Sequence, residues 1–212
     1  STEGHILTEL DDIDFKNKKV LEIGIGQAAD SYQMVKRGGI WSGLDLTEAA
    51  VKRAKERFKI NNINYEEARR GSATHIPWPD NYFDLVYSHG VLHHIPEIEK
   101  TQREISRILK PSGKLIIMLY HKSSLIYWLS ITFIRRLSLL LLVILNDLKI
   151  FKPHINSIFY HHINNSKKIG LFKYFKMSNF IHVNTDGPKN PYSKVYTVST
   201  LRSDFSCFDL YK

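Results

Sequence analysis

Val20-Leu21-Glu22-Ile23-Gly24-Ile25-Gly26 reads as a buried strand that ends on two closely spaced glycines, and Gly43-Leu44-Asp45-Leu46 ends a second strand on a carboxylate. A spacing of about twenty residues between such a turn and such an acid describes a nucleotide-type cofactor site. Glycine permits positive φ and leaves room for a ligand against the backbone. The carboxylate is placed to accept ribose hydroxyls. As an alternative, Asp45 caps the entry of the next helix.

Working outward, Lys19 to Ile23 forms strand one and Ala29 to Arg37 the helix after it, stopped by Gly38 and Gly39 before strand two, Ile40 to Leu44. Thr47 caps a helix whose apolar stripe is Ala50, Val51, Ala54 and Phe58. Ile63 to Glu67 is expected as a short third strand. The turn Pro79-Asp80-Asn81 introduces strand four, Phe83 to Tyr87, and Trp78 and Tyr82 are expected to pack the loop after Pro77. Pro96 and Glu97 open a helix carrying Ile98, Ile105, Ile108 and Leu109; Pro111 and Gly113 end it before strand five, Lys114 to Tyr120.

Apolar strands alternating with helices predict an α/β fold, a Rossmann-like three-layer sandwich around a mainly parallel sheet. Ligands of such sheets bind outside the carboxyl ends of the strands, so the loops from Gly24, Asp45, Gly71, Ser88 and Tyr120 are expected to face one cleft.

The chain has 212 residues and a formal charge of +9, unevenly distributed. Residues 1–109 hold 15 Lys and Arg against 17 Asp and Glu, whereas residues 110–212 hold 15 against 4. The basic half suits an anionic partner or is simply a solvated face. Cys207 is the single cysteine, which excludes an internal disulfide and a cysteine-rich zinc cluster and fits a cytoplasmic, reducing compartment. No signal-peptide pattern opens the chain at Ser1. Phe172, Tyr174 and Phe175 among lysines suggest base stacking, yet no dedicated nucleic-acid module is present and a packed aromatic face is the expectation.

Residues 125–145 form a long apolar run with Arg135 and Arg136 at its midpoint. Two adjacent cations are costly at the centre of a bilayer. A buried or lid helix is favoured, a membrane-surface helix follows, and a spanning helix comes last; peripheral membrane contact through 125–145 is therefore one expected partnership.

Val20 to Gly26, Gly43-Leu44-Asp45-Leu46-Thr47, Ile76 to Val86, Leu92-His93-His94-Ile95-Pro96 and Ile108 to Lys114 together resemble the class I S-adenosylmethionine-dependent methyltransferases, in the group of ubiquinone-type and small-molecule enzymes. The resemblance covers about residues 18–120. It implies that family's strand order, a helical insertion after strand five, and S-adenosyl-L-methionine as cofactor with S-adenosyl-L-homocysteine as product. It also implies a small-molecule acceptor, with apolar or lipid-like chemistry slightly preferred.

By the same resemblance Gly24 and Gly26 approach the methionyl part, Asp45 binds both ribose hydroxyls and Glu22 supports the site. Leu46, Ser72, Ala73 and Ser88 complete the cofactor-side set. Two positions depart from the pattern: Ala28 stands where a third glycine is common, and Ser72 where an aspartate commonly accepts from the adenine amino group. Asp30 beside the turn would oppose a pyrophosphate and tolerate an ammonium.

His93 and His89 are the candidate general bases, since imidazole titrates near neutrality; structural histidines are the competing reading. Tyr120, His121 and Lys122 are expected near the acceptor. His161 and His162 lack a partner at recognisable metal spacing, and no metal is expected. Residues 1–120 are assigned to the cofactor-binding core, and 121–212 to a substrate-cover insertion and the C-terminal part of the same domain. Asp186 to Tyr192, with Tyr196, resembles a loop of some small-molecule members. With little chain after Phe208, a truncated or reduced sheet is expected. Rival readings are a nicotinamide-dependent oxidoreductase and a non-catalytic methyltransferase-fold module that binds a protein or membrane. The oligomeric state is not legible.

Overall fold

The computed structural model describes residues 10–124, 126–184, 187–188, 190 and 192–209, and the side chains of 126–128 fall outside that description. Leu125, Asp186, Lys189, Pro191 and the last three residues, which carried expectations above, lie outside the described residues. The chain forms two compact units: Ser1–Leu92, Glu97–Leu119 and Arg202–Lys212 make the core unit, and His93–Pro96 with Tyr120–Leu201 make the second.

The core unit follows the expected alternation. Its elements are β1 (Lys19–Ile23), α1 (Ala29–Lys36), β2 (Ile40–Asp45), α2 (Glu48–Ile60), β3 (Glu67–Arg70), β4 (Phe83–His89), α3 (Ile98–Ile108) and β5 (Leu109–Met118). The sheet order is β3-β2-β1-β4-β5 and every named pairing is parallel. Among the described residues the sheet holds five strands, with β3 and β5 at its edges. This is the α/β Rossmann-like architecture that the strand pattern implied.

Local chemistry explains the elements. Thr47 caps α2 by accepting from the Ala50 N–H at 3.3 Å, and the stripe Ala50, Val51, Ala54 and Phe58 is buried as its spacing required. Phe58 meets the edge of Trp41 with ring centroids 4.9 Å apart, and burying an aromatic side chain of this size contributes about 2–3 kcal/mol. Around them, Phe15, Val20, Met34 and Leu85 close the core.

Strand three differs from expectation. Ile63 and Tyr65 mimic strand alternation but pack from a loop onto the core, Tyr65 lying 4.9 Å from Phe58 and 5.8 Å from Trp41. The strand is the polar Glu67–Arg70, pairing Ser42 with Glu67 and Asp45 with Arg70. Charged residues are suited to an edge strand because they discourage pairing with other chains. In β5 the register jumps from Phe83 opposite Leu109 to Leu85 opposite Lys114, so Pro111 and Gly113 interrupt the ladder and regular pairing begins where the sequence placed it.

The loop between β3 and β4 is packed as expected around Pro77. Trp78 and Tyr82 both meet Phe83 edge-on, at 5.7 and 5.0 Å. Arg107, on α3, ties the same loop down through the Ile76 and Trp78 carbonyls, each at 2.9 Å, and Asp80 at 2.7 Å.

The second unit is helical. A π-helix, Ile126–Arg135, runs into α4 (Arg136–Asp147), followed by α5 (Ile158–Ile169), α6 (Leu171–Phe175) and α7 (Met177–Asn184). Its centre is Ile131, Leu139, Tyr174 and Phe180. Arg135 donates to the Asn184 carbonyl at the end of α7, and Arg136 to the Phe175 carbonyl at the end of α6, at 2.8 Å. The adjacent cations satisfy helix C-termini, where orphan carbonyls and the helix dipole favour positive charge. The last helix, α8 (Val198–Asp204), carries the chain back into the core unit.

Candidate active site

The glycine turn is shaped by backbone geometry. Gly24 has φ +86°, and a Cβ there would lie 2.2 Å from Cγ2 of Val91. Its N–H donates to the Leu44 carbonyl at 2.8 Å, joining the turn to the end of β2. Gly26 has φ +53°, and a Cβ there would meet nothing within 4 Å, so the space beside the turn is open. Ala28 is buried and left-handed, with φ 56°. It occupies the conformation a third glycine would adopt freely, at a strain of about 1 kcal/mol.

Asp45 ends β2 beside this turn. One carboxylate oxygen accepts from the Gly26 N–H at 3.3 Å, and the other from the Thr47 N–H and hydroxyl, each at 2.8 Å. The helix-entry role leaves the carboxylate available: the Thr47 bonds fix it while it remains partly exposed beside the glycine turn.

Beneath it Glu22 is buried. Its Oε2 accepts from the Trp41 indole N–H at 2.8 Å and from the Ser31 hydroxyl. Burial pushes the Glu22 carboxyl up to about 8, against the lowering effect of the Ser31 and Trp41 hydrogen bonds and with the neighbouring Asp30 and Asp45 charges adding to the rise. Glu22 stands opposite Gly43 in the ladder, and a Cβ on Gly43 would come within 2.4 Å of the Trp41 ring. Gly43 is what allows Trp41 to reach the acid. Sequence reasoning did not single out Trp41 or Ser31; the signal was present in Trp41 and Gly43 lying two residues apart on one face of a strand.

Asp30, in the first turn of α1, accepts from the Tyr87 hydroxyl at 2.9 Å and contacts Nδ1 of His89 at 3.0 Å. Burial alone would raise its pKa, but the bonds from His89 and Tyr87 outweigh that and hold it below the usual carboxylate range. The helix that follows the glycine turn thus opens with an ionised acid, which suits an ammonium or sulfonium better than a pyrophosphate. Tyr87 was read only as a strand residue, and its hydroxyl is the part that sequence periodicity does not reveal.

The other residues expected on the cofactor side take different positions. Ser88 is buried, and its hydroxyl donates to the Ile23 carbonyl at 2.9 Å, tying the ends of β1 and β4. Ser72 shares a hydrogen bond with the Thr74 hydroxyl at 2.8 Å and accepts from the Thr74 N–H at 3.2 Å, with Ala73 buried between them. Leu46 is largely exposed beyond Asp45.

Of the two histidines proposed as bases, His89 belongs to the core unit, is partly exposed and sits on Asp30. His93 belongs to the second unit and is fully buried, its ring 3.9 Å from Tyr120 and 4.2 Å from His94. His94 is knitted to the segment that follows α7, with Nδ1 2.9 Å from the Tyr192 carbonyl and 3.0 Å from the Ser193 hydroxyl. His121 bridges to Tyr196 in the same unit.

A parallel sheet in this order, a glycine turn after β1 and an acid after β2 define a nucleotide-cofactor domain. The comparisons agree: residues 21–117 match the family model described as "Methyltransferase domain". Over those residues the core is similar to the class I S-adenosylmethionine-dependent methyltransferases. The chain is similar to a demethylmenaquinone methyltransferase of Listeria welshimeri, 34% identical over 103 residues, 47% of this chain and 44% of the relative. It is also similar to the ubiquinone/menaquinone biosynthesis C-methyltransferase UbiE of Serratia proteamaculans, 30% identical over 114 residues, 50% of this chain and 44% of the relative. A solved S-adenosylmethionine-dependent methyltransferase from Aquifex aeolicus aligns with TM-score 0.50 and 26% identity, covering 55% of this chain and 64% of that one. The chain thus spans 44% of the length of these two curated relatives.

The residues present fit the family's cofactor. The open space at Gly26 leaves room against the backbone, Asp45 sets a partly exposed carboxylate beside it, and the lowered pKa of Asp30 suits a cationic ligand.

Proposed function

We propose that this chain transfers a methyl group from S-adenosyl-L-methionine to a small organic acceptor of apolar or lipid-like character, leaving S-adenosyl-L-homocysteine. The observation that carries the reading is the fixed carboxylate of Asp45 standing over a glycine turn with open space at Gly26. The Listeria and Serratia relatives, whose names specify quinone-type acceptors, support the preference for an apolar substrate.

When bound, the cofactor supplies an electrophilic methyl carbon on a sulfonium, whose sulfur keeps the bonding pair as the methyl moves to the acceptor. The protein's own work is alignment and exclusion of water. Asp45 orients through ribose, the Gly24–Gly26 backbone sets the approach, and Asp30 offsets positive charge. Ser72 and the Ala73 backbone are assigned to the adenine, Leu46 to its apolar flank, and Glu22 and Ser88 hold the strand ends beneath.

If the accepting atom carries a proton, His89 is the favoured base, because it combines partial exposure with an orienting carboxylate. His93, buried against Tyr120, is the second candidate and the better structural residue. A compartment rich in reduced thiols fits the lone Cys207.

Calorimetric titration with S-adenosylmethionine, S-adenosylhomocysteine and NAD tests the site. Saturable binding of both sulfur ligands, weakened about tenfold or more in Asp45→Ala and absent for NAD, is expected from the loss of charged hydrogen bonds. A folded protein that binds neither sulfur ligand would overturn the reading.

A further inference from the structure

The second unit presents an apolar surface that its own core does not use. On the π-helix and α4, Ile131, Leu139 and Val143 are buried, whereas Phe133, Leu137, Leu141, Ile144 and Leu148 are exposed at intervals of three or four residues, so they form one outward stripe. Leu137 is 70% exposed, and Phe172 at the start of α6 is 94% exposed. The two elements are contiguous here: Phe133, Leu137 and Phe172 line one open groove of about 630 Å³, together with Arg136 and Lys176. Leu129–Asp147 has the length and composition to cross a membrane, with only 17% of that window buried.

We propose that the second unit is an interfacial anchor that lies along an anionic lipid bilayer, with this stripe and Phe172 among the acyl chains and the neighbouring lysines at the phosphate level. Two observations choose this occupant and this orientation. Residues 120–201 carry 11 Lys and Arg against 2 Asp and Glu, so a second copy would bring like charge to the same face, whereas anionic headgroups complement it. Arg135 and Arg136 clamp the helix lengthwise to the ends of α7 and α6, and a spanning helix would have to break both contacts and carry both charges into the hydrocarbon. The inference deepens the reading above by naming how an apolar acceptor is delivered, and rests on that reading only for this purpose.

The test is sedimentation of the whole chain with phosphatidylcholine vesicles, with and without phosphatidylglycerol, alongside cofactor titration of the same samples. Binding is expected to anionic vesicles, to fall about tenfold in Leu137→Ser and again in Leu141→Ser, and to weaken as salt shortens the screening length. Phe172→Trp places a reporter at an exposed position, and bromine-labelled acyl chains should quench it. Absence of vesicle binding, or a salt-independent dimer that buries the tryptophan without lipid, overturns the proposal. Resistance of the bound protein to alkaline carbonate extraction overturns the interfacial orientation. Cofactor titration reads the core site separately, so loss of vesicle binding with intact cofactor binding sinks the anchor alone, and the converse sinks the methyltransferase reading alone.

Discussion

Three residues near the turn show how the site depends on what is left out as much as on what is present. Gly24→Ala would force a side chain into Val91 at φ +86°, and strain and overpacking together are expected to cost about 2–4 kcal/mol, read as a lowered denaturation midpoint. Gly26→Ala, where nothing lies within 4 Å, should leave stability far less affected yet weaken cofactor binding, which separates packing from ligand space. Glu22 makes a pH prediction. Its carboxyl is raised to about 8 in the folded chain from an ordinary 4.5, so the folded state holds a proton that the unfolded state has released. Stability contributed by Glu22 is therefore present below about pH 4.5 and falls as pH rises through 8, by at most about 1.4 kcal/mol per pH unit. Thermal melts of Glu22→Gln across this range should lack that decline. At this scale the gathering of Glu22, Gly24, Gly26 and Asp45 at the ends of two adjacent strands was legible because their spacing sets it. Trp41, Ser31 and Tyr87 were not, since their roles depend on which atoms face one another across strands and a helix.

Elements were legible where one face is buried and a cap or glycine marks the end. β1 and the body of α2 follow the sequence closely for that reason, and Thr47 does what a capping residue is expected to do. Strand three was displaced because Ile63 and Tyr65 satisfy the core from a loop, while Glu67–Arg70 earns its strand by hydrogen bonding at an edge without any apolar signature. The apolar run through Arg135 and Arg136 is legible as a helix, but the partners of its cations are not: the guanidinium groups reach the ends of α7 and α6. Removing either by substitution to glutamine is expected to lower stability by about 1–2 kcal/mol, because a charged hydrogen bond is lost and a helix-end carbonyl loses its partner. Lysine at the same positions should recover only part of this, because its ammonium has neither the reach nor the planar geometry of arginine. Circular dichroism melts of the four variants decide the point.

Across the whole molecule two buried groups, Glu22 in the core unit and His162 in the second, contribute to stability with opposite pH dependence. In the second unit His162 is buried, and its Nδ1 meets the Tyr174 hydroxyl. Burial first, then the Arg135 and His161 charges, lower its pKa to about 4 from 6.5. The unfolded chain therefore binds the proton more readily, and this contribution to stability is present above about pH 6.5 and lost as pH falls towards 4, the reverse of Glu22. Hydrogen-exchange protection measured unit by unit should show the second unit loosening on acidification, and His162→Gln should suppress that change. The alternating strand pattern announced the core well, but the partition into units was less legible, because tertiary contacts rather than composition return residues 202–209 to the core. Phe205, in that returning segment, is 1% exposed, and Cys207 lies 3.5 Å from Gln102 on α3. During translation, synthesised at about 5–20 residues per second, the chain must release the whole greasy insertion from the ribosome before Phe205 arrives to complete the core. The newborn protein consequently passes through an interval in which the sheet-bearing half still lacks Phe205 while its apolar companion is already synthesised.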